Sequence, residues 1–340
     1  MAVSERYSRQ ILFGPIGQQG QERLLASSVA IVGCGALGTM LANHLCRAGV
    51  GHLLIVDRDY VELSNLQRQI LFDEDDVQAH LPKAVAAARK LERINSEVRI
   101  EALVADLDAE EAESLVQRVD LVLDATDNFE TRYLLNDVCV KHRRPWIYSG
   151  VIAAHGVTMN ILPGETACLR CVFPELPPPG STPTCDTAGV LNGIVSLISG
   201  IAATEALKIL LASPAISRAL LVADLWENTW ERLELPRQDD CPTCALGRFD
   251  FLNASAQSNT AALCGRNAVQ VRSRQRGASL DLAALAQRLQ ALAHVQHNAY
   301  LLRFQIEDYE MTVFPDGRAI IKGTDNEQIA RSLYARYIGM

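Results

Sequence analysis

Residues 27–59, SSVAIVGCGALGTMLANHLCRAGVGHLLIVDRD, constrain the fold more than any other stretch of the chain. An apolar run meets three glycines spaced G-x-G-x-x-G, then an amphipathic segment of helical period, then a second apolar run ending in acid. Glycines so spaced let a strand turn sharply into a helix, and let backbone N–H groups approach an anion at the helix N-terminus. The stretch predicts a βαβ unit, whose right-handed crossover puts both strands in one parallel sheet.

The same alternation continues downstream. A helix is predicted after Pro82 (PKAVAAARKLERIN), strands at VRIEALV and VDLVLDAT, a helix near NFETRYLLNDVCVKH and a strand at PWIYSGV. The fold class is therefore α/β, a doubly wound, mostly parallel Rossmann-like sheet. GVTMNILPG reads as an antiparallel strand, GVLNGIVSLISGIAATEALKILLA as a long apolar helix and ALLVADLWENTWERLELP as a hairpin, all extending the same domain over residues 1–250. Asn192, Glu205 and Lys208 interrupt the apolar helix, which argues for packing on a sheet or a subunit face rather than crossing a bilayer. Beyond Cys244 the character changes. A polar linker, NASAQSNTAALCGRN, leads to AVQVR, a helix in SLDLAALAQRLQALAHV, a hairpin around Pro315-Asp316-Gly317 and a last helix. These predict a small α+β domain of βαββα pattern over residues 255–340.

Composition narrows the function classes. With 340 residues, 49% of them hydrophobic, the chain can bury a large core, and a net charge of −8 without a basic block disfavours nucleic acid or an anionic membrane as partner. The polar N-terminus lacks the pattern of a signal peptide, so the expected compartment is the cytoplasm. There, nine cysteines read as metal ligands or reactive groups before disulfides.

The glycine turn alone suits NAD, FAD or a mononucleotide. Asp57, ending the second strand, can accept hydrogen bonds from a ribose. The segment DRDYVELSNLQRQ suits a triphosphate better than a dinucleotide, because it groups Asp57, Asp59, Asn65, Arg68 and Gln69 just after that strand. Arg68 offers a planar fork to phosphate oxygens, and Lys83, just inside a helix, adds a point charge. Asp127 and Asn128, in LDATDNFETR, fall just past a strand, at the carboxyl edge where open α/β sheets bind ligands, and a carboxylate there can hold Mg²⁺.

The segments GCGALG, DRDYVELSNLQRQ, PKA and DATDN, in that order after RYSRQILFGPIGQQGQERL, resemble the ThiF/MoeB/HesA family of the ubiquitin-activating-enzyme superfamily over about residues 5–247. The resemblance implies an adenylyltransferase that uses ATP and Mg²⁺ to activate the C-terminal glycine carboxylate of a ubiquitin-like sulfur carrier ending in Gly-Gly. It implies that Gly33, Gly35, Ala36 and Gly38 form the phosphate turn, with Ala36 where a glycine is common. Asp57 would hold ribose, Asn65 and Arg68 would contact phosphates, and Lys83 and Asp127 would complete the site. Arg9 matches an arginine that reaches the neighbouring subunit's nucleotide, which implies a homodimer. CGRNAVQV and FPDGRAIIKGT look most like the ThiF branch, which serves thiamin-thiazole synthesis; a MoeB-like molybdopterin role is the alternative within the family. The tail has no rhodanese-like cysteine loop, so any sulfurtransferase is expected as a separate partner. An oxidoreductase or a non-catalytic nucleotide-binding scaffold would need neither Arg68, Lys83 nor Asp127 in these places.

Cys168-x-x-Cys171 and Cys241-x-x-Cys244 have the spacing of two halves of a tetrahedral Cys₄ zinc site, closed and hence structural. A thioredoxin-like redox pair is the alternative, but neither pair opens a helix after a strand. Cys185, between the pairs, is expected directly before the long helix, where a helix N-terminus favours thiolate. It resembles a cysteine that some relatives use covalently or to handle sulfur. Cys34, Cys46, Cys139 and Cys264 are read as small apolar side chains without chemistry. Of the seven histidines, His155 alone is placed near the centre of the main domain.

Overall fold

The computed structural model describes residues 5–178, 183–254, 260–263, 267–271 and 280–339; Cys264 lies outside them. Strand β1 (Ser28–Val32) pairs in parallel with β2 (His52–Asp57) and with β4 (Leu121–Asp124). The two remaining parallel strands are β3 (Arg99–Val104) beside β2 and β5 (Trp146–Ile152) beside β4. Three antiparallel strands, β6 (His155–Ile161), β7 (Ala219–Asp224) and β8 (Thr229–Glu234), complete an eight-stranded sheet of order β3-β2-β1-β4-β5-β6-β7-β8. The chain reverses its direction of travel across the sheet between β1 and β4. A doubly wound sheet opens a crevice at that point, at the carboxyl ends of its strands.

Side chains alternate across the sheet, so each central strand feeds two cores. Ala30, Val32, Leu54, Val56 and Val122 pack with Leu115, Val116, Leu134 and Val138 from the helices Ala109–Gln117 and Phe129–Lys141. The opposite face is covered by the helices Ala36–Ala48 and Lys83–Ile94, with Leu41, Leu45 and Leu91 fully buried. The apolar helix Asn192–Leu210 is long enough to cross a membrane, and it packs on Ala36–Ala48, β5 and β6. Glu205 explains how a charge is tolerated on it: its carboxylate accepts from Asn160 Nδ2 at 2.6 Å and Ser217 N at 2.9 Å, with Lys208 Nζ at 2.6 Å.

The chain divides into two compact units, Met1–Pro177 with Ala188–Ala256, and Gln257–Met340 with Pro178–Thr187. The second unit holds a six-stranded antiparallel sheet of order β11-β12-β13-β14-β10-β9. Its strands are β9 (Thr260–Leu263), β10 (Ala268–Val271), β11 (Val295–His297), β12 (Leu302–Ile306), β13 (Tyr309–Val313) and β14 (Ala319–Lys322). The helices Leu282–Leu289 and Glu327–Tyr337 bury Leu285, Leu289, Leu333 and Tyr334 against Val269, Phe304, Met311 and Ile321. The βαββα pattern undercounts this sheet. β9 forms inside the expected linker, the expected hairpin is three strands because a second turn falls at Glu307-Asp308, and the expected helix stops at Leu289 so that Val295 can start β11.

Candidate active site

The carboxyl ends of β1, β2 and β4 converge on the glycine turn. Gly33 has φ +91°, which disfavours any residue with a Cβ, and a Cβ there would stand 2.6 Å from the Ala125 carbonyl oxygen. A Cβ on Gly38 would run into the Gly33 carbonyl, so two of the three glycines serve close backbone packing. Gly35 differs: a Cβ there would meet only the Gln69 side chain, at 3.8 Å. That opening faces the N-terminus of Ala36–Ala48, the place where a phosphate gains from unpaired N–H groups.

Asp57 ends β2 and is half-buried. Its two oxygens accept from Cys34 N at 2.6 Å and Asp59 N at 2.7 Å, locking the strand end to the turn. Burial raises its pKa, an effect the Lys83 charge opposes. Burial likewise pushes the Cys34 thiol well up, with the Asp57 charge adding to it. Cys34 is thus an inert wall of the turn.

Residues 58–69 fold back over this edge. The Asp59 carbonyl accepts from Lys83 N at 2.9 Å, and the buried Lys83 Nζ lies 3.1 Å from Asp59 Oδ2. Asn65, buried, closes a 3₁₀ turn by accepting from Glu62 N at 3.1 Å. Arg68, half-buried, donates to the Ser64 carbonyl at 3.0 Å. The Gln69 side chain is buried, and its Oε1 has no hydrogen-bond partner among the described residues. A buried amide oxygen left so is open to a donor from outside the chain, such as a ribose hydroxyl or water.

β4 delivers the third part. Asn128 caps the helix Phe129–Lys141 by accepting from Thr131 N at 2.8 Å, and leaves Asp127 exposed in the loop before it. Two residues not singled out from sequence hold that loop. Asp124, with no exposed surface, accepts from Thr126 N at 2.9 Å and from its hydroxyl at 2.7 Å. Arg132 Nε stands 3.3 Å from Asp124 Oδ2. Burial raises the Asp124 pKa and Arg132 opposes it. Asp124 hides in the apolar run LVLD, and Arg132 sits in a helix whose partner is legible only once β4 is placed.

Arg9 is exposed on the short helix Ser8–Ile11 and makes no hydrogen bond or ion pair among the described residues. His155 opens β6 with Nδ1 3.3 Å from Asp224 Oδ2. Cys185 does not precede the long helix directly. It opens a single turn, Cys185–Ala188, that Gly189 ends at φ +73°, so the N-terminus of Asn192–Leu210 lies beyond it.

The four paired cysteines come together. Their sulfurs all lie within 4.8 Å of one another, with Cys168 to Cys241 at 3.5 Å, Cys171 to Cys244 at 3.4 Å and Cys168 to Cys171 at 3.9 Å. A tetrahedral zinc with bonds of about 2.3 Å sets sulfur separations of about 3.8 Å, so the donor set fits. Hydrogen bonding among the thiols, that between Cys168 and Cys171 first, lowers the Cys171 pKa and raises that of Cys168. The surround is built to hold this shape: Asn136 accepts from Leu169 N at 2.9 Å, and the buried Asp137 accepts from the Thr243 hydroxyl at 3.0 Å and Phe251 N at 2.9 Å.

A doubly wound sheet with a glycine turn, an acid ending β2 and a buried lysine opening the helix Lys83–Ile94 defines a nucleotide-binding protein of the Rossmann-like class. The chain belongs to the ThiF family, whose model matches residues 7–243. It is 45% identical, over 99% of its length and 100% of the relative's, to a protein named sulfur carrier protein ThiS adenylyltransferase from Bacillus subtilis. A protein of the same name from Escherichia coli is 39% identical over 72% of this chain and 96% of its own. A crystal structure of MccB with ATP, from Escherichia coli, shares the fold with a TM-score of 0.62 at 23% identity, covering 72% of this chain and 74% of that one.

Proposed function

We propose that this chain uses ATP to adenylate the C-terminal glycine carboxylate of a ubiquitin-like sulfur carrier, releasing pyrophosphate. The observation that carries the reading is the 45% identity, sustained through both units, to a relative named for that reaction. A carboxylate is a poor electrophile. Its attack on the α-phosphorus forms one P–O bond and breaks the bond to the leaving pyrophosphate, and the resulting acyl-adenylate is open to a sulfur nucleophile. Proximity and charge balance drive such a step, with no general base.

The residues divide the work. Gly35 leaves room for the phosphates, Gly33, Ala36 and Gly38 shape the turn, and Asp57 and Gln69 take the ribose side. Asn65 orients the loop that carries Arg68, which with Lys83 balances phosphate charge; Asp59 holds Lys83 in place. Asp127 and Asn128 are the residues that would hold Mg²⁺, and the metal, when bound, offsets charge on the departing pyrophosphate. The ThiS named in both relatives supports a carrier that serves thiamin-thiazole synthesis.

The Cys₄ cluster would hold one structural zinc per chain, a reading its sulfur spacing supports. A homodimer is supported by Leu12 and Phe13, 73% and 61% exposed on the arm that carries Arg9, and by an exposed Leu191 at the start of the long apolar helix. No disulfide joins the eight described cysteines, in keeping with a cytoplasmic protein. Cys185, half-buried, is the candidate for a later sulfur-handling step. Carrier-dependent ATP–pyrophosphate exchange tests the central reading: exchange is expected only with a carrier ending in Gly-Gly. Tight NAD binding without exchange would replace it with an oxidoreductase.

A further inference from the structure

We infer that Arg132 is a positioning residue for this reaction: by clamping the Asp124–Thr126 turn it holds the loop 125–128, and Asp127 with it, at a fixed distance from the glycine turn. The inference rests on the adenylation reading above. It starts from a buried ion pair that no step of the chemistry uses. Asp124 ends β4 with no exposed surface, and one of its oxygens is taken by the Thr126 amide and hydroxyl. The other faces Arg132 Nε at 3.3 Å, while Arg132 Nη2 donates to the Thr126 carbonyl at 2.6 Å. One guanidinium therefore grips both ends of the turn that aims Asp127.

The guanidinium is itself held. It lies 5.1 Å from the Phe129 ring centroid and 5.3 Å from that of Tyr148, and Arg132 is only 8% exposed. Burying such a pair costs desolvation, so it is poor evidence for stability, and fixing one conformation is the better-attested use. The conformation fixed here matters because the loop abuts the phosphate turn. The Ala125 carbonyl fills the space a Cβ on Gly33 would need, so displacement of one segment moves the other. Lysine cannot replace this arginine, since a single ammonium does not present the fork that reaches carboxylate and carbonyl together.

The test is a double-mutant cycle in carrier-dependent ATP–pyrophosphate exchange, read against Mg²⁺ concentration, in the full chain carrying R132K, R132A, D127A and D127A/R132A. R132A and R132K should each lower kcat by about tenfold or more and raise the Mg²⁺ needed for half-maximal rate, with KM for the carrier unchanged. R132A should slow D127A by much less than it slows the wild type, because Arg132 acts mainly through the loop that Asp127 occupies. Losses that multiply in the double variant, or a lowered Tm with unaltered Mg²⁺ dependence, would overturn the inference. R132K and D127A/R132K give the same comparison if R132A does not fold. Wild-type exchange in D127A would instead sink the reading of the site itself.

Discussion

Replacing Gly33 with alanine perturbs the point where the phosphate turn and the 125–128 loop meet. The wild-type φ of +91° would be imposed on a residue with a Cβ, at a cost of about 1–2 kcal/mol. The new Cβ would lie 2.6 Å from the Ala125 carbonyl oxygen, where an ordinary contact begins at 3.4 Å. One segment must yield by about 1 Å, a misplacement on the order of 10²-fold in rate. Overpacking adds roughly 1–3 kcal/mol, so G33A should lose about 3 kcal/mol in all. At about 2–4 °C per kcal/mol for a unit of this size, Tm should fall by about 6–12 °C. Gly35→Ala is the control, because φ is −88° there and its Cβ would meet only Gln69 at 3.8 Å. G35A should keep the wild-type Tm and still lose exchange, since its methyl occupies the phosphate opening. Scanning calorimetry and carrier-dependent exchange read the two effects separately. Wild-type stability and rate in G33A, or full exchange in G35A, would refute the packing argument.

Three further outcomes are expected. Freshly purified protein should carry about one zinc per chain, lost together with several degrees of Tm in Cys241→Ser, and metal analysis finding none would remove the structural site. Arg9→Ala should retain the dimer in sedimentation while losing exchange; unchanged exchange would take Arg9 out of the site. Glu101, 29% exposed, has its pKa lowered first by its hydrogen bond from Arg118, so its stabilisation is present above the ordinary carboxylate pKa and is lost as pH falls through the depressed value. After discounting for screening, E101Q should cost about 0.5 kcal/mol at neutral pH and nothing once the pH lies below the depressed value, and a difference in Tm that persists in acid would contradict the assignment.

Much of the fold was legible because the central unit encodes it twice, in apolar period and in turn chemistry. The strand, glycine turn, helix and acid-tipped strand at 28–57 fall where the residues predict them. The apolar period does not announce the helix Ala109–Gln117, although Asp108 and Glu111 form a reciprocal capping box, because its acidic surface masks the buried Ala112, Leu115 and Val116. The C-terminal sheet was undercounted since short antiparallel strands such as β11 and β13 carry little signal outside their pairing. Asp57, Asp59 and Lys83 are close in space because Tyr60 bridges Pro82, a long-range pairing that spacing alone does not state. Asp124 and Arg132 were missed for a related reason. Neither has a motif of its own, and their partnership exists only where β4 ends against the following helix.

The most direct test of the central claim is the intact mass of a Gly-Gly-ended sulfur carrier incubated with this protein, ATP and Mg²⁺. A carrier heavier by one adenylyl group is expected, formed together with pyrophosphate and absent when the terminal glycine is removed. An unmodified carrier in the presence of folded, zinc-loaded protein, with no pyrophosphate released, would contradict it.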